Sequence, residues 1–219
     1  MVHDHQPGEE IPALNDLLAG YAMGTLGGPL HALVSAHLSL KPENRAFVRA
    51  IESLHGLELA DSNPVVMNNR EKMLELIFSS SNVTEETDAV SGDDVVPQPI
   101  ASFMGGGLSK AAWITRMPGI REFPISKDKN GEVSLLWIKP GKTMPAHTHG
   151  GSEVTLVLKG GFTDSTGHYR RGDIAIADSH VDHTPRADDD EDCICFAVSE
   201  APLRLTGPFV RFVRRVLGH

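Results

Sequence analysis

Gly141, His147, His149, Glu153 and Gly160 stand in the order G-x5-H-x-H-x3-E-x6-G, a spacing suited to holding a cation. Imidazole nitrogens and carboxylate oxygens ligate divalent metals, and two histidines at i and i+2 of a strand project from one face because side chains alternate with period 2. One ion can therefore touch both. Gly150-Gly151 lets the backbone turn or bulge, so that Glu153 enters the following strand aimed back at the same point, and Gly160 closes the hairpin. Imidazoles crowded around a carboxylate inside an apolar barrel would be costly to bury without a cation. A fourth ligand is expected from an antiparallel neighbour. The stretch from Gly172 to His183 supplies candidates in His180 and His183.

Two kinds of element must position these residues. From about Ala13 to Phe78 the apolar residues recur with helical period. Leu14, Leu17, Leu18 and Tyr21 mark a first helix that stops near Gly24, and Pro29 opens a second through Leu30, Leu33, Val34, His37 and Leu38. A third is expected from about Pro42 to Leu54, and a fourth from about Asn68 to Phe78. The segment 81–98, rich in Ser, Thr, Asp and Glu and without periodicity, reads as a linker. Beyond it the chain changes to short strands: Val133 to Ile138, Glu153 to Leu158, Gly172 to Ala177 and Cys193 to Val198, with Asp128-Lys129-Asn130-Gly131 as a hairpin turn. Phe209 to Leu217 is expected to add a terminal helix. The fold expected is thus an α+β two-domain chain: a small helical domain over 1–80, a linker over 81–98 and an all-β barrel or sandwich over 99–219.

Composition narrows the function classes. A formal charge of -9 on 219 residues argues against a dedicated nucleic-acid binder, which needs clustered Lys and Arg to neutralise phosphates. No apolar run approaches the ~20 residues of a membrane span, and the acidic, proline-bearing N-terminus is unlike a signal peptide, so cytoplasm is the expected location. The two cysteines, Cys193 and Cys195, exclude a secreted disulfide framework. They share a strand face, either as small apolar core residues or as a redox pair.

The first motif resembles that of the cupin superfamily, a double-sheet jelly-roll barrel. In that family's second motif, G-x5-P-x-G-x2-H-x3-N, the histidine falls eleven positions after the first glycine. The resemblance therefore implies His183 as fourth ligand, although Asp178, His180 and Ala187 replace the motif's proline, second glycine and asparagine.

The helical half resembles a second known pattern. Tyr21-Ala22-Met23-Gly24-Thr25-Leu26, followed by His37-Leu38-Ser39-Leu40-Lys41-Pro42-Glu43-Asn44-Arg45, is similar to the Y-A-x-G-x-L and H-L-x-L-C-P-x-C-R segments of ChrR-type anti-sigma regulators. Trp113, Pro118-Gly119, Phe162-Thr163-Asp164, Gly167-His168-Tyr169 and Cys193-Ile194-Cys195 resemble the same family's C-terminal domain. The resemblance implies a regulator whose helical domain holds an extracytoplasmic-function sigma factor and whose metal-bearing cupin senses an oxidant or small molecule. Leu14, Leu17, Leu18, Tyr21 and Leu26 are the candidate partner groove, to the extent that they are not core.

One departure bears on cofactors. Where the family places two zinc-binding cysteines, this chain has Lys41 and Asn44, a cation and a poor zinc ligand. No zinc is expected in the helical domain, and hydrophobic packing is expected to replace its contribution to folding. One divalent metal is expected in the barrel on His147, His149, Glu153 and His183. Resemblance favours zinc, while Mn, Fe and Ni suit the same donors. The competing reading is a metal-dependent cupin enzyme, dioxygenase-like or hydrolytic, with Asp164 or Tyr169 as acid or base. Loss of the cysteines leaves a third: a helical domain used only for dimerisation or another partner.

Overall fold

The structure, a computed structural model, describes residues 14–80, 93–128 and 131–206. The expected terminal helix from Phe209 to Leu217 lies outside them. Among the described residues five α-helices come first: α1 (Leu14–Ala22), α2 (Gly28–Leu40), α3 (Arg45–Asp61), α4 (Arg70–Ser79) and α5 (Gln98–Met104). Eleven strands follow: β1 (Ile114–Met117), β2 (Ile120–Asp128), β3 (Gly131–Ile138), β4 (His147–Thr148), β5 (Glu153–Lys159), β6 (Gly161–Thr163), β7 (His168–Arg170), β8 (Ile174–Ala177), β9 (Arg186–Ala187), β10 (Cys193–Ser199) and β11 (Arg204–Leu205).

The larger sheet has the order β1-β2-β3-β10-β5-β8, and residues of the smaller sheets β7-β6-β9 and β11-β4 line one cavity with it. Its central strands are apolar on both sides. Leu135, Val154, Leu156, Leu158, Ile194 and Phe196 point out of the barrel and share one core with Leu17, Leu18, Leu33, Val34 and Leu38 of the helices. Ile138, Val157, Cys193 and Cys195 point inward and pack with Ile120, Phe162 and Ala187. Helices cover the outer face, so the strands read as near-continuous apolar runs. Each fully buried Leu, Val or Phe contributes about 1.5–3 kcal/mol. Gly160 closes the β5–β6 hairpin at φ 63, and a Cβ there would lie 2.6 Å from the Asp192 carbonyl.

Three expectations change. Residues 93–97, taken as the end of the linker, are anchored: Val96 is buried, and Asp93 accepts backbone N–H bonds from Val95, Val96 and Leu108. They lead into α5, an additional helix that opens on Gln98-Pro99, with proline in its first turn where the missing N–H costs nothing. Helix α3 begins after a single 3-10 turn over Pro42–Asn44 and runs on to Asp61. Leu17 and Leu18, with 4% and 1% of their surface exposed, are core, and Leu14, Tyr21 and Leu26 pack against them. Of the candidate partner groove, Leu17 and Leu18 thus belong to the core, while Leu14, Tyr21 and Leu26 are half-buried at its edge.

Exposed apolar surface lies elsewhere. Leu54, Leu57 and Leu59 on α3, Val65, Val66 and Met67 in the connection, and Met73, Leu76, Ile77 and Phe78 on α4 are all open, Val65 at 92% and Phe78 at 83%. Helix α4 buries no residue. Ten residues of helix without tertiary packing are marginal in water.

Candidate metal centre

Backbone pairing brings the histidines together. His147 and His183 form an antiparallel bridge in which each donates its N–H to the other's carbonyl at 3.0 Å. His149 follows two residues after His147 on the same face. The three imidazoles are buried and converge, His183 Nε2 standing 3.0 Å from His147 Nε2 and 3.1 Å from His149 Nε2. They form the group able to hold a metal among the described residues.

The outer nitrogens explain why the inner ones face each other. His147 Nδ1 lies 2.8 Å from the Pro145 carbonyl, which can only accept, so Nδ1 carries the proton and Nε2 presents a lone pair. His183 Nδ1–H donates to Asp164 Oδ2 at 2.7 Å and orients its own Nε2 in the same way. Burial raises the Asp164 carboxyl, but bonds from His183 and Thr166 outweigh it and hold the group at about 2, an anion. Two lone pairs at 3.0 Å repel unless a cation lies between them. Protonation is a poor substitute: burial lowers the pKa of His147, and burial together with the other two rings brings His149 to about 4. His149 Nδ1 is buried without a hydrogen bond. The donor set thus fits a divalent metal, with Asp164 and Pro145 as the outer partners that fix ring tautomers.

Glu153 borders this group and is not one of its three members. Its Oε2 stands 3.5 Å from His149 Nδ1, and Thr155 Oγ1 donates to its Oε1 at 3.3 Å. Burial raises its pKa. His180 is exposed and apart. Glu153, His147 and His183 line a barrel cavity of about 440 Å³ whose other walls include Met117, Ile120, Leu136, Met144 and Phe162. Asp164 and Tyr169, the candidate acid and base for an enzyme, are engaged: Asp164 on His183, and Tyr169 with its hydroxyl 2.9 Å from Thr166 Oγ1. Cys193 and Cys195 are buried free thiols with sulfurs 3.6 Å apart. Contact with Cys193, and burial, push the Cys195 thiol well up, so it stays protonated and a weak nucleophile.

Sequence reasoning overlooked two residues. Asp164 was weighed for catalysis, although its Asp-Ser-Thr-Gly turn is what aims it at His183. His37, read as an ordinary helix residue, is buried and bonded to the barrel.

A jelly-roll barrel with three convergent imidazoles defines a cupin, here carrying a helical module on the outer face of its larger sheet. A sequence profile of the ChrR cupin-like domain matches residues 105–202. Over 198 residues the chain is 34% identical to the anti-sigma-E factor ChrR of Cereibacter sphaeroides, covering 90% of this chain and 93% of that protein. The chain belongs to the ChrR family of anti-sigma factors. Its structure superposes with a TM-score of 0.73 and 33% identity on the crystal structure of Rhodobacter sphaeroides SigE in complex with the anti-sigma ChrR, covering 87% of this chain and 98% of that one. An RmlC-like cupin of Ralstonia eutropha is 16% identical over 51% of this chain and 85% of its own, with a TM-score of 0.41. No helix among the described residues is long and apolar enough to cross a membrane.

Proposed function

We propose that this chain is an anti-sigma regulator that binds a sigma factor of the extracytoplasmic-function class through α3 and α4 and governs that binding from the cupin. The observation that carries the reading is the unpartnered apolar surface from Leu54 to Phe78. So many large apolar side chains left open within one stretch of chain mark an interaction site. It belongs to a chain that aligns over 87% of its length with a protein whose crystal structure is a complex between SigE and ChrR. The mechanism is binding and population shift without turnover.

The barrel would hold one divalent metal on His147, His149 and His183, with Glu153 completing the set from the cavity wall. Resemblance favours zinc. The cavity beside it would admit the signal, an oxidant or other small molecule, next to the metal's open side. A cytoplasmic location follows from this partner.

The test is co-purification of the full chain with the sigma factors of its own genome, each expressed in turn. Capture of one of them, lost in Leu57→Asp/Ile77→Asp, is the expected result. Failure to capture any would sink the reading.

A further inference from the structure

One edge of the contact between helices and barrel is polar. His37 is 2% exposed; its Nδ1–H donates to the Gly172 carbonyl at 2.7 Å, and the Asn44 amide donates to its Nε2 at 2.8 Å. Both ring nitrogens are thus satisfied in the neutral form. Lys41 Nζ pairs with Asp173 Oδ1 at 3.0 Å. The three helical-module residues lie at the end of α2 and in the 3-10 turn that starts α3. His37 and Lys41 meet consecutive residues of the turn between β7 and β8, and Asn44 braces the His37 ring from behind. The fit is close: Gly172 has φ 89, and a Cβ there would lie 2.9 Å from Lys41 Cε and 3.1 Å from Leu40 Cβ.

That turn is also tied into the barrel. Gly172 N–H donates to the Val157 carbonyl at 2.8 Å, and Val157 N–H donates back to Asp173 at 3.1 Å. Strands β5 and β8 then pair from Leu156↔Ile174 to Glu153↔Ala177. One end of this strand pair touches α2 and the other carries Glu153 at the metal centre. The span from Asp173 to Ala177 is about 13 Å at the usual rise of a strand. Rigid secondary elements with two discrete arrangements can carry coupling between sites, and a strand pair joined by backbone hydrogen bonds is the rigid element that spans these two.

We propose that His37, held by Asn44, and Lys41 form a latch on Gly172 and Asp173, and that β5 and β8 connect this latch to the metal centre. The latch stands at the root of α3, whose far half and successor α4 carry the exposed apolar surface. Tightening or loosening it re-aims that surface. The proposal rests on reading the three imidazoles as a metal site.

Hydrogen–deuterium exchange on the full chain, with Zn(II) alone as probe, tests it, while native mass spectrometry counts the bound ions. With one ion bound, exchange is expected to slow by about threefold or more both in 170–177 and in 37–45. Lys41→Ala/Asp173→Ala is expected to keep the ion and the response in 170–177 and to lose the response in 37–45. These two side chains are 30% and 36% exposed, so their removal spares the core. The swap Lys41→Asp/Asp173→Lys is expected to restore it. An ion bound without any response in 37–45, a response that survives the alanine pair, or a swap that restores nothing overturns the latch. A mass without bound zinc overturns the metal reading and, with it, the connection, and the mass spectrum alone tells that failure from the others.

Discussion

His147 and His183, 36 residues apart in sequence, exchange both backbone hydrogen bonds at 3.0 Å and present their Nε2 atoms to each other at the same distance. The backbone bridge sets the separation of the rings, and Pro145 and Asp164 set their tautomers. Two lone pairs are thereby aimed at one point before any ion arrives, which is the preorganisation a metal site requires.

Removing a ring should therefore do more than remove a ligand. His183→Ala is expected to bring metal content from one ion per chain to none, as read by elemental analysis of the purified protein. Asp164→Asn keeps the ligand and frees its tautomer; zinc affinity in a competition titration is expected to fall about 10–100-fold. Equal affinity in Asp164→Asn would show that the outer partner does not matter.

Acid should destabilise the metal-free protein through His149. Its folded value, about 4, lies below the 6.5 of the exposed ring, so the unfolded chain takes up the proton first as pH falls. The stability from this group is complete above about 6.5 and is lost towards 4. Glu153 acts in the opposite sense: burial raises its pKa, so stability falls as pH rises through its folded value. Thermal melts of metal-free wild type and His149→Gln between pH 4.5 and 7 are expected to show a shallower slope in the variant.

The two apolar populations of the helical half should separate cleanly. Leu18→Ala, at a buried site, is expected to cost about 2–5 kcal/mol in denaturant unfolding. Phe78→Asp, on the open face of α4, should change stability by no more than about 0.5 kcal/mol while weakening sigma-factor capture at least tenfold. A Phe78→Asp protein that binds as well as wild type would place the partner elsewhere.

Cys193 and Cys195 should be slow towards alkylating reagents in the native protein at pH 7.5, both being buried and the Cys195 thiol held protonated. Mass spectrometry after iodoacetamide is expected to show labelling only once the chain is unfolded. Rapid native labelling would return the pair to a redox role.

The convergence of the imidazoles was partly legible in sequence because His147 and His149 are local, two residues apart, and the period of a strand dictates their common facing. The barrel strands with seven or eight residues were legible for the same reason, whereas β4, β9 and β11, with two residues each, carry no period to read. Helix α5 hid behind prolines. His37 escaped because its partner lies 135 residues away, and no local pattern distinguishes a helix histidine that faces a barrel turn from one that faces water. Leu57 and Phe78 show the converse limit. Periodicity signals a face that seeks cover, and it is silent on whether the cover belongs to the same chain.

Leu135, Leu156 and Phe196 look outward from the large sheet into the core they share with Leu33 and Val34. A barrel cut free at residue 105 would turn that face to water and be prone to aggregate, so the two halves of this chain cannot be traded as independent parts. The recombination of cupins with new helical heads would demand that the outer sheet be rewritten with them.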